Sequence, residues 1–425
     1  MDQAVLTLVV LAVAAFLFAT ELIPLAVTAM GSAVFLGIMG VLTTKEVFEG
    51  LSNSTVVLFA GMFVIGAAMF HTGLAQKIGT VVVQKAGVKE NRLMLAIMTV
   101  TVILSAVSSN TGTVAALMPV IIGICTVAKI PASRQLMPLA VAANAGGTIT
   151  LIGTPPNLIV SGSLQAAGLQ PFGFFEFAWI GIPLSIMAML YMMTIGKKLL
   201  PNRIIENTAV EIDQEVAAAE APHDTKKMWI SGLILLGVVV CMGLDLKWLP
   251  LQIAAIIGAL LCVLTKCLTE KQAYTGIDWV TIFLFAGMLS VATAMEKSGA
   301  GKLVADQVVA LLGDAPSPVM ITAALFILSC GLTQFMSNTA AAALLGPIGI
   351  SIAQSIGASP YPVLMAIGIA ASCAYTTPVA TPPNTLVLGP GQFTFMDYVK
   401  CGTPLCVLSL ILCLIVIPMV WPFFP

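Results

Sequence analysis

A three-residue polar stretch, Ser-Asn-Thr, occurs twice inside apolar sequence, at 109–111 and again at 337–339. Each copy stands in an apolar segment too long for one membrane span, with turn residues at its middle. Each is followed, 47 or 46 residues on from its Asn, by a second polar break. The first is Gly153-Thr154-Pro155-Pro156-Asn157, and its twin is Ala380-Thr381-Pro382-Pro383-Asn384. A backbone group left unpaired in lipid costs several kcal/mol, so broken helices persist only where protein, water or ligand satisfies them. Four uncharged breaks in two matched pairs therefore read as a binding site.

Composition sets the solvent. The 425 residues are 59% hydrophobic and 9% charged, with a mean hydropathy of +1.05, whereas a soluble domain carries about 25% charged residues. The reading is an all-α integral membrane protein lying in the lipid bilayer. A net charge of −1 and no basic run beyond a pair give no pointer to nucleic acid. Met1-Asp2-Gln3 lacks the positive region of a cleaved signal peptide, so the first apolar segment is expected to be retained. The nine cysteines form no CxxC and read as small buried hydrophobes.

The breaks belong to a longer internal repeat. Pro24-Leu25 recurs as Pro250-Leu251, the run Leu58 to Met62 as Leu284 to Met288, and Gly73 as Gly299, all 226 positions apart. The Ser-Asn-Thr copies and the pair Pro119/Pro347 are 228 apart, and Gly181/Pro183 matches Gly402/Pro404 at 221. Two halves, about 1–200 and 227–425, are joined by a charged linker.

Taken in order, spans are expected at 4–20, 24–42 and near 54–72, then an interfacial arm over 73–92. A re-entrant hairpin over 93–128, a span broken at Thr-Pro-Pro over 135–168 and a span at 177–196 complete the half. After the linker 197–227, spans are expected at 228–244, 250–266 and 280–295, an arm near 296–313, a hairpin at 317–356, a broken span at 362–388 and a last span at 401–422. Five spans plus a returning hairpin are an odd number, so consecutive copies sit with opposite orientation, about ten spans and two hairpins in all. Placing the linker inside puts 14 of the 18 Lys and Arg inside, leaving Lys45, Lys247, Lys297 and Lys302 outside. That positive-inside bias puts both termini outside a cell inner (plasma) membrane.

The breaks also supply helix starts. Thr154 and Thr381 are expected as side-chain N-caps, with Pro155 and Pro382 at the first helical position. Ser109-Asn110-Thr111 and Ser337-Asn338-Thr339 can cap the second leg of each hairpin. Four helix N-termini with free N–H groups then converge near the midplane, an arrangement suited to anions. Nearby carbonyls and hydroxyls suit a hard cation such as Na⁺. No Asp, Glu, Lys, Arg or His occurs in 93–128, 135–175 or 315–396. No fixed cation is available for an anion and no carboxylate for a proton relay, which favours sodium over proton coupling. Glu21 reads as interfacial, and His71 and His223 as structural or solvated.

At these motifs the sequence resembles the divalent anion:sodium symporter family, carriers of dicarboxylates, citrate or sulfate; the run Phe335-Met336-Ser337-Asn338-Thr339-Ala340 is especially similar. The resemblance implies a homodimer with an elevator mechanism. Residues 1–92 and 228–314 would form the scaffold, 93–200 and 315–425 the moving transport parts, and 201–227 the cytoplasmic linker. It implies that Asn110, Thr111, Asn338 and Thr339 touch substrate carboxylates. One sodium site would use Ser105, Ser109, Asn110 and Gly153; the other Thr333, Asn338, Met336 and Ala380. The first motif departs from the family by continuing Gly112-Thr113, and the chain lacks the extra N-terminal span of many members.

The expected function is sodium-coupled import of a small dianion such as succinate, fumarate or malate. The alternatives are a sodium-independent dicarboxylate exchanger and a carrier of sulfate, citrate or another oxyanion. An embedded enzyme would need a nucleophile with a base, or a metal constellation, and the broken-helix core supplies neither.

Overall fold

The computed structural model describes residues 2–87, 89–203, 224–244, 246, 248–312 and 317–424. Most of the expected linker therefore lies outside the described residues. Among these, every regular element is helical. The first half runs through α1 (Gln3–Thr20), α2 (Leu25–Ile38), α3 (Thr44–Glu49), α4 (Ser54–His71) and α5 (Leu74–Ala86). It continues with α6 (Glu90–Val107), α7 (Asn110–Ala128), α8 (Ser133–Gly147), α9 (Pro155–Ala166) and α10 (Ala178–Tyr191), the last extended through a wide turn to Leu199. The second half runs through α11 (Thr225–Gly243), α12 (Leu251–Leu264), α13 (Glu270–Gly276), α14 (Trp279–Ser298) and α15 (Ala300–Leu312). Then come α16 (Pro318–Leu332), α17 (Asn338–Ser355), α18 (Pro360–Ser372), α19 (Pro382–Leu388) and α20 (Phe395–Val420).

Local chemistry repeats between the halves. The short helices α3 and α13 both open with a reciprocal cap. Thr43 and Glu46 exchange side-chain and backbone bonds, and so do Thr269 and Gln272. Each satisfies two amides that the start of a helix leaves without partners. The arms α5 and α15 set Lys77, Lys85 and Lys302 outward and bury Ala75 and Ala305.

Among the described residues, eight helices are each long and apolar enough to cross a membrane, including both legs of the first hairpin, α6 and α7. The helices α2 and α12 have 14 residues, about 21 Å of length, and fall short of a full span. The broken helices α8–α9 and α18–α19 approach one only when joined. The expected tally of ten spans thus rests on pieces that do not qualify singly.

Packing crosses the halves. Helix α4 lies along α12, and α14 along α2. Glycine permits both approaches: a β-carbon on Gly61 would sit 2.8 Å from the Ala255 main chain, and one on Gly287 would sit 2.6 Å from that of Ala29. The positions correspond, 61 to 287 and 29 to 255. Helices α8 and α18 sit deepest; apart from Arg134, every residue of α8 is buried. Helix α11, by contrast, turns Trp229, Leu233, Leu236 and Val240 outward, a surface that lipid solvates at no cost.

Candidate functional site

The hairpins turn where the Ser-Asn-Thr copies stand. Ser109 ends the first turn with its Oγ accepting from the Gly112 N–H at 3.0 Å, and Ser337 does the same for Ala340 at 3.1 Å. Both serines therefore cap, as expected. The caps leave the first two amides of each helix, Asn110 and Thr111 of α7 and Asn338 and Thr339 of α17, without protein partners.

The other two starts differ from expectation. Thr154 and Thr381 occupy the cap position of α9 and α19 but make no side-chain cap bond. The two residues that follow each are prolines, which have no N–H to donate. The next amides, of Asn157 and Asn384, bond back to the carbonyls of Thr154 and Thr381. These two starts thus present no free N–H, and the seven residues of α19 carry little dipole. What they present instead is a threonine hydroxyl without a cap bond.

All four breaks face one cavity of about 1160 Å³. Its lining includes every residue expected to bind substrate: Ser109, Asn110, Thr111, Thr154, Pro155, Ser337, Asn338, Thr339, Thr381 and Pro382. Of the expected sodium residues, Gly153, Met336 and Ala380 also line it. Ser105 and Thr333 do not; they are fully buried behind the turns. The facing wall is apolar, from Phe59, Phe63 and Phe70 of α4 and Leu284 of α14. The lining also includes Glu21, His71 and Asp278, none of which sequence reasoning placed in a cavity. Asp278 could have been found as an N-cap signal, since its carboxylate accepts from the Thr281 N–H at 3.1 Å.

Behind the second turn the oxygens outnumber the hydrogens; behind the first they balance. Ser105 Oγ lies 2.5 Å from the Asn110 side-chain amide and 2.8 Å from the Ala143 carbonyl oxygen. Thr333 Oγ1 lies 2.6 Å from Asn338 Oδ1 and 2.7 Å from the Ala371 carbonyl oxygen. A hydroxyl has one hydrogen and can satisfy one of its two acceptors. The Asn110 amide is satisfied with its nitrogen facing Ser105 Oγ and the carbonyls of Ala143 and Gly153, at 2.5, 3.1 and 3.2 Å; with the Ser105 hydrogen given to Ala143, three hydrogens there meet three acceptors. A set of hydroxyl, amide and backbone oxygens is the donor chemistry of a hard cation. The Ala143 and Ala371 carbonyls were illegible beforehand because any residue type has one. Ser109, expected near this cluster, spends its hydroxyl on the cap.

The unwound stretches are held by the asparagines of the Thr-Pro-Pro-Asn copies. Asn157 Nδ2 donates to the carbonyls of Gly147 and Thr150 at 3.3 and 2.8 Å, and Asn384 Nδ2 to those of Ala374 and Thr377 at 2.8 and 2.9 Å. Both asparagines are buried and outside the cavity lining. They satisfy carbonyls that the breaks would otherwise orphan.

A family model described as citrate transporter matches residues 15–358 and 318–423. An uncharacterized transporter of Haemophilus influenzae is 31% identical over 409 residues, covering 93% of this chain and 87% of its own. The uncharacterized transporter YfbS of Escherichia coli is 26% identical, covering 97% and 98%. The sodium-dependent dicarboxylate transporter SdcS of Staphylococcus saprophyticus is 26% identical, covering 98% and 86%. Among solved structures, the Alcanivorax borkumensis YdaH transporter shares the fold with a TM-score of 0.67 at 17% identity, covering 99% of this chain and 98% of its own. Neisseria gonorrhoeae MtrF gives 0.63 at 13%, covering 90% and 83%. This multi-pass membrane protein, a transporter and not an enzyme, belongs to the citrate transporter family, in keeping with its resemblance to the divalent anion:sodium symporters.

Proposed function

We propose that this protein is a sodium-coupled importer of small dianions, with C4-dicarboxylates such as succinate, fumarate or malate as substrates. The observation that carries the reading is the oversubscribed Thr333 hydroxyl behind the second hairpin turn, beside Asn338, with Ser105 and Asn110 in the matching place behind the first. A sodium ion at the second cluster relieves the surplus of acceptors, and another takes the matching place at the first. Their charge offsets that of a dianion in a lining where the four breaks carry no Lys or Arg. The free amides of the hairpin tips and the hydroxyls of Thr111, Thr154, Thr339 and Thr381 then receive the two carboxylates. The sodium-dependent dicarboxylate transporter among the relatives supports both halves of this reading.

The mechanism proposed is of the elevator type, in a homodimer. The cross-half packing of α2 with α14 and α4 with α12 supports an inverted repeat with a fixed scaffold, 1–92 and 228–314. The moving parts are 93–200 and 315–425, with the linker 201–227 in the cytoplasm. The charge bias supports termini outside the inner membrane. On that orientation Glu21, His71 and Asp278 of the cavity lining lie toward the cytoplasm.

Uptake of labelled succinate into proteoliposomes tests the proposal. An inward Na⁺ gradient drives accumulation and choline does not. Accumulation in choline, driven by dicarboxylate trapped inside, indicates exchange and overturns the coupling. Uptake of sulfate or citrate in place of succinate overturns the substrate class.

A further inference from the structure

The two half-sites are not equal. In the first, Ala106 offers its backbone carbonyl to the Thr150 hydroxyl. The matching bond in the second runs from Thr377 Oγ1 to the Gln334 carbonyl at 2.7 Å, and there the Gln334 side chain adds four contacts. Its Nε2 donates to the carbonyls of Cys330 and Cys373 at 2.8 and 3.0 Å. Its Oε1 accepts from the N–H and the hydroxyl of Thr376 at 2.9 and 2.7 Å. Both donors and both lone pairs of the amide are used, and the residue is buried. The first half has Ala106 and Ile149 at these two positions, neither with a polar side chain.

A second asymmetry points the same way. Asn384, which holds the second break, has its Oδ1 bonded by Asn144 Nδ2 at 3.3 Å. Asn157, which holds the first, has a buried Oδ1 with no partner. With Ala143 matching Ala371, the residue matching Asn144 is Ser372, whose hydroxyl donates to the Gly368 carbonyl at 3.1 Å instead.

We infer that Gln334 is a positioning residue that clamps the second hairpin turn to the unwound stretch 373–381, so that the second half-site stands assembled before ligand arrives. This inference rests on the sodium reading for its ligand. Thr333 adjoins Gln334, and Ala371 lies two residues before Cys373, so the oxygens around Asn338 are fixed by the same clamp. A fully satisfied buried network rigidifies its surroundings, and a preformed site avoids the ordering cost of binding. Sodium therefore fills the second half-site at lower concentration than the first.

The test pairs a ligand-free readout with a sodium titration of the purified full chain. Gln334→Met keeps the bulk of the side chain and removes its hydrogen bonds; Thr376→Val removes one partner only. In choline, backbone amide exchange at 376–380 is expected to be slower than at 149–153 in the wild type. It should accelerate about tenfold in Gln334→Met and less in Thr376→Val. The Na⁺ concentration giving half-maximal thermal stabilisation should rise about tenfold in Gln334→Met. It should rise further in Thr333→Val than in Ser105→Ala. Unchanged exchange at 376–380 in Gln334→Met overturns the clamp. So does a lower Tm with an unmoved sodium midpoint, which is what a merely structural glutamine gives. A wild type that ignores Na⁺ overturns the sodium assignment, while the exchange data still decide the clamp separately.

Discussion

Thr333 Oγ1 lies within hydrogen-bond distance of Asn338 Oδ1, at 2.6 Å, across the turn of the second hairpin. The same hydroxyl meets the Ala371 carbonyl at 2.7 Å, so its single hydrogen leaves one oxygen pair in unrelieved repulsion. A cation at that point turns the repulsion into coordination. Thr333→Val, which keeps the shape and deletes the oxygen, is expected to raise the Na⁺ requirement for uptake at least about tenfold. Thr333→Ser should stay near wild type, and the Na⁺ dependence of initial rates checks both.

The asparagines divide by role. Asn110→Ala or Asn338→Ala should abolish transport while expression stays intact, because these side chains line the cavity and contact Ser105 and Thr333. Asn157→Ala or Asn384→Ala should instead destabilise the fold by about 1–3 kcal/mol, by orphaning the carbonyls they satisfy. Thermal denaturation alongside uptake separates the two classes. Wild-type transport by both Asn110→Ala and Asn338→Ala would remove the basis of the site.

Thr154 and Thr381 make no cap bond, and the prolines after them have no N–H, so on the proposed function their hydroxyls are what these starts offer an anion. Thr154→Val and Thr381→Val should each raise the substrate KM severalfold and leave Tm unchanged. A fall in Tm with constant KM would return these threonines to a capping role.

The contacts of Gly61 with Ala255 and of Gly287 with Ala29 leave no room for a side chain. Gly61→Val or Gly287→Val should push the helices apart and cost at least about 1–3 kcal/mol as overpacking does, seen as loss of monodisperse protein on size exclusion. An unaltered profile for both would show these helices free to separate.

Periodic signals were legible because they depend on residue type. The duplicated Ser-Asn-Thr and Thr-Pro-Pro-Asn stretches pointed to ten residues that line the cavity, and Gly61 and Gly287 stand in matching runs of the repeat. Two kinds of fact stayed hidden. Backbone oxygens, those of Ala143 and Ala371, leave no mark in the sequence. The offer of free N–H groups at α9 and α19 was misread because Pro155 and Pro382 fit the start of a helix while Pro156 and Pro383 remove the next donor as well. Gln334 passed unnoticed because its four partners come from two stretches some 40 residues apart.

Joint binding of dianion and sodium at the four breaks is tested most directly by thermal stabilisation of the purified protein. Succinate, fumarate, malate, citrate and sulfate are each added in Na⁺ and in choline. Binding to the folded state alone raises Tm through linkage. A C4-dicarboxylate that stabilises in Na⁺ and not in choline is the predicted result. Equal stabilisation in the two salts, or none by any dianion, would contradict it.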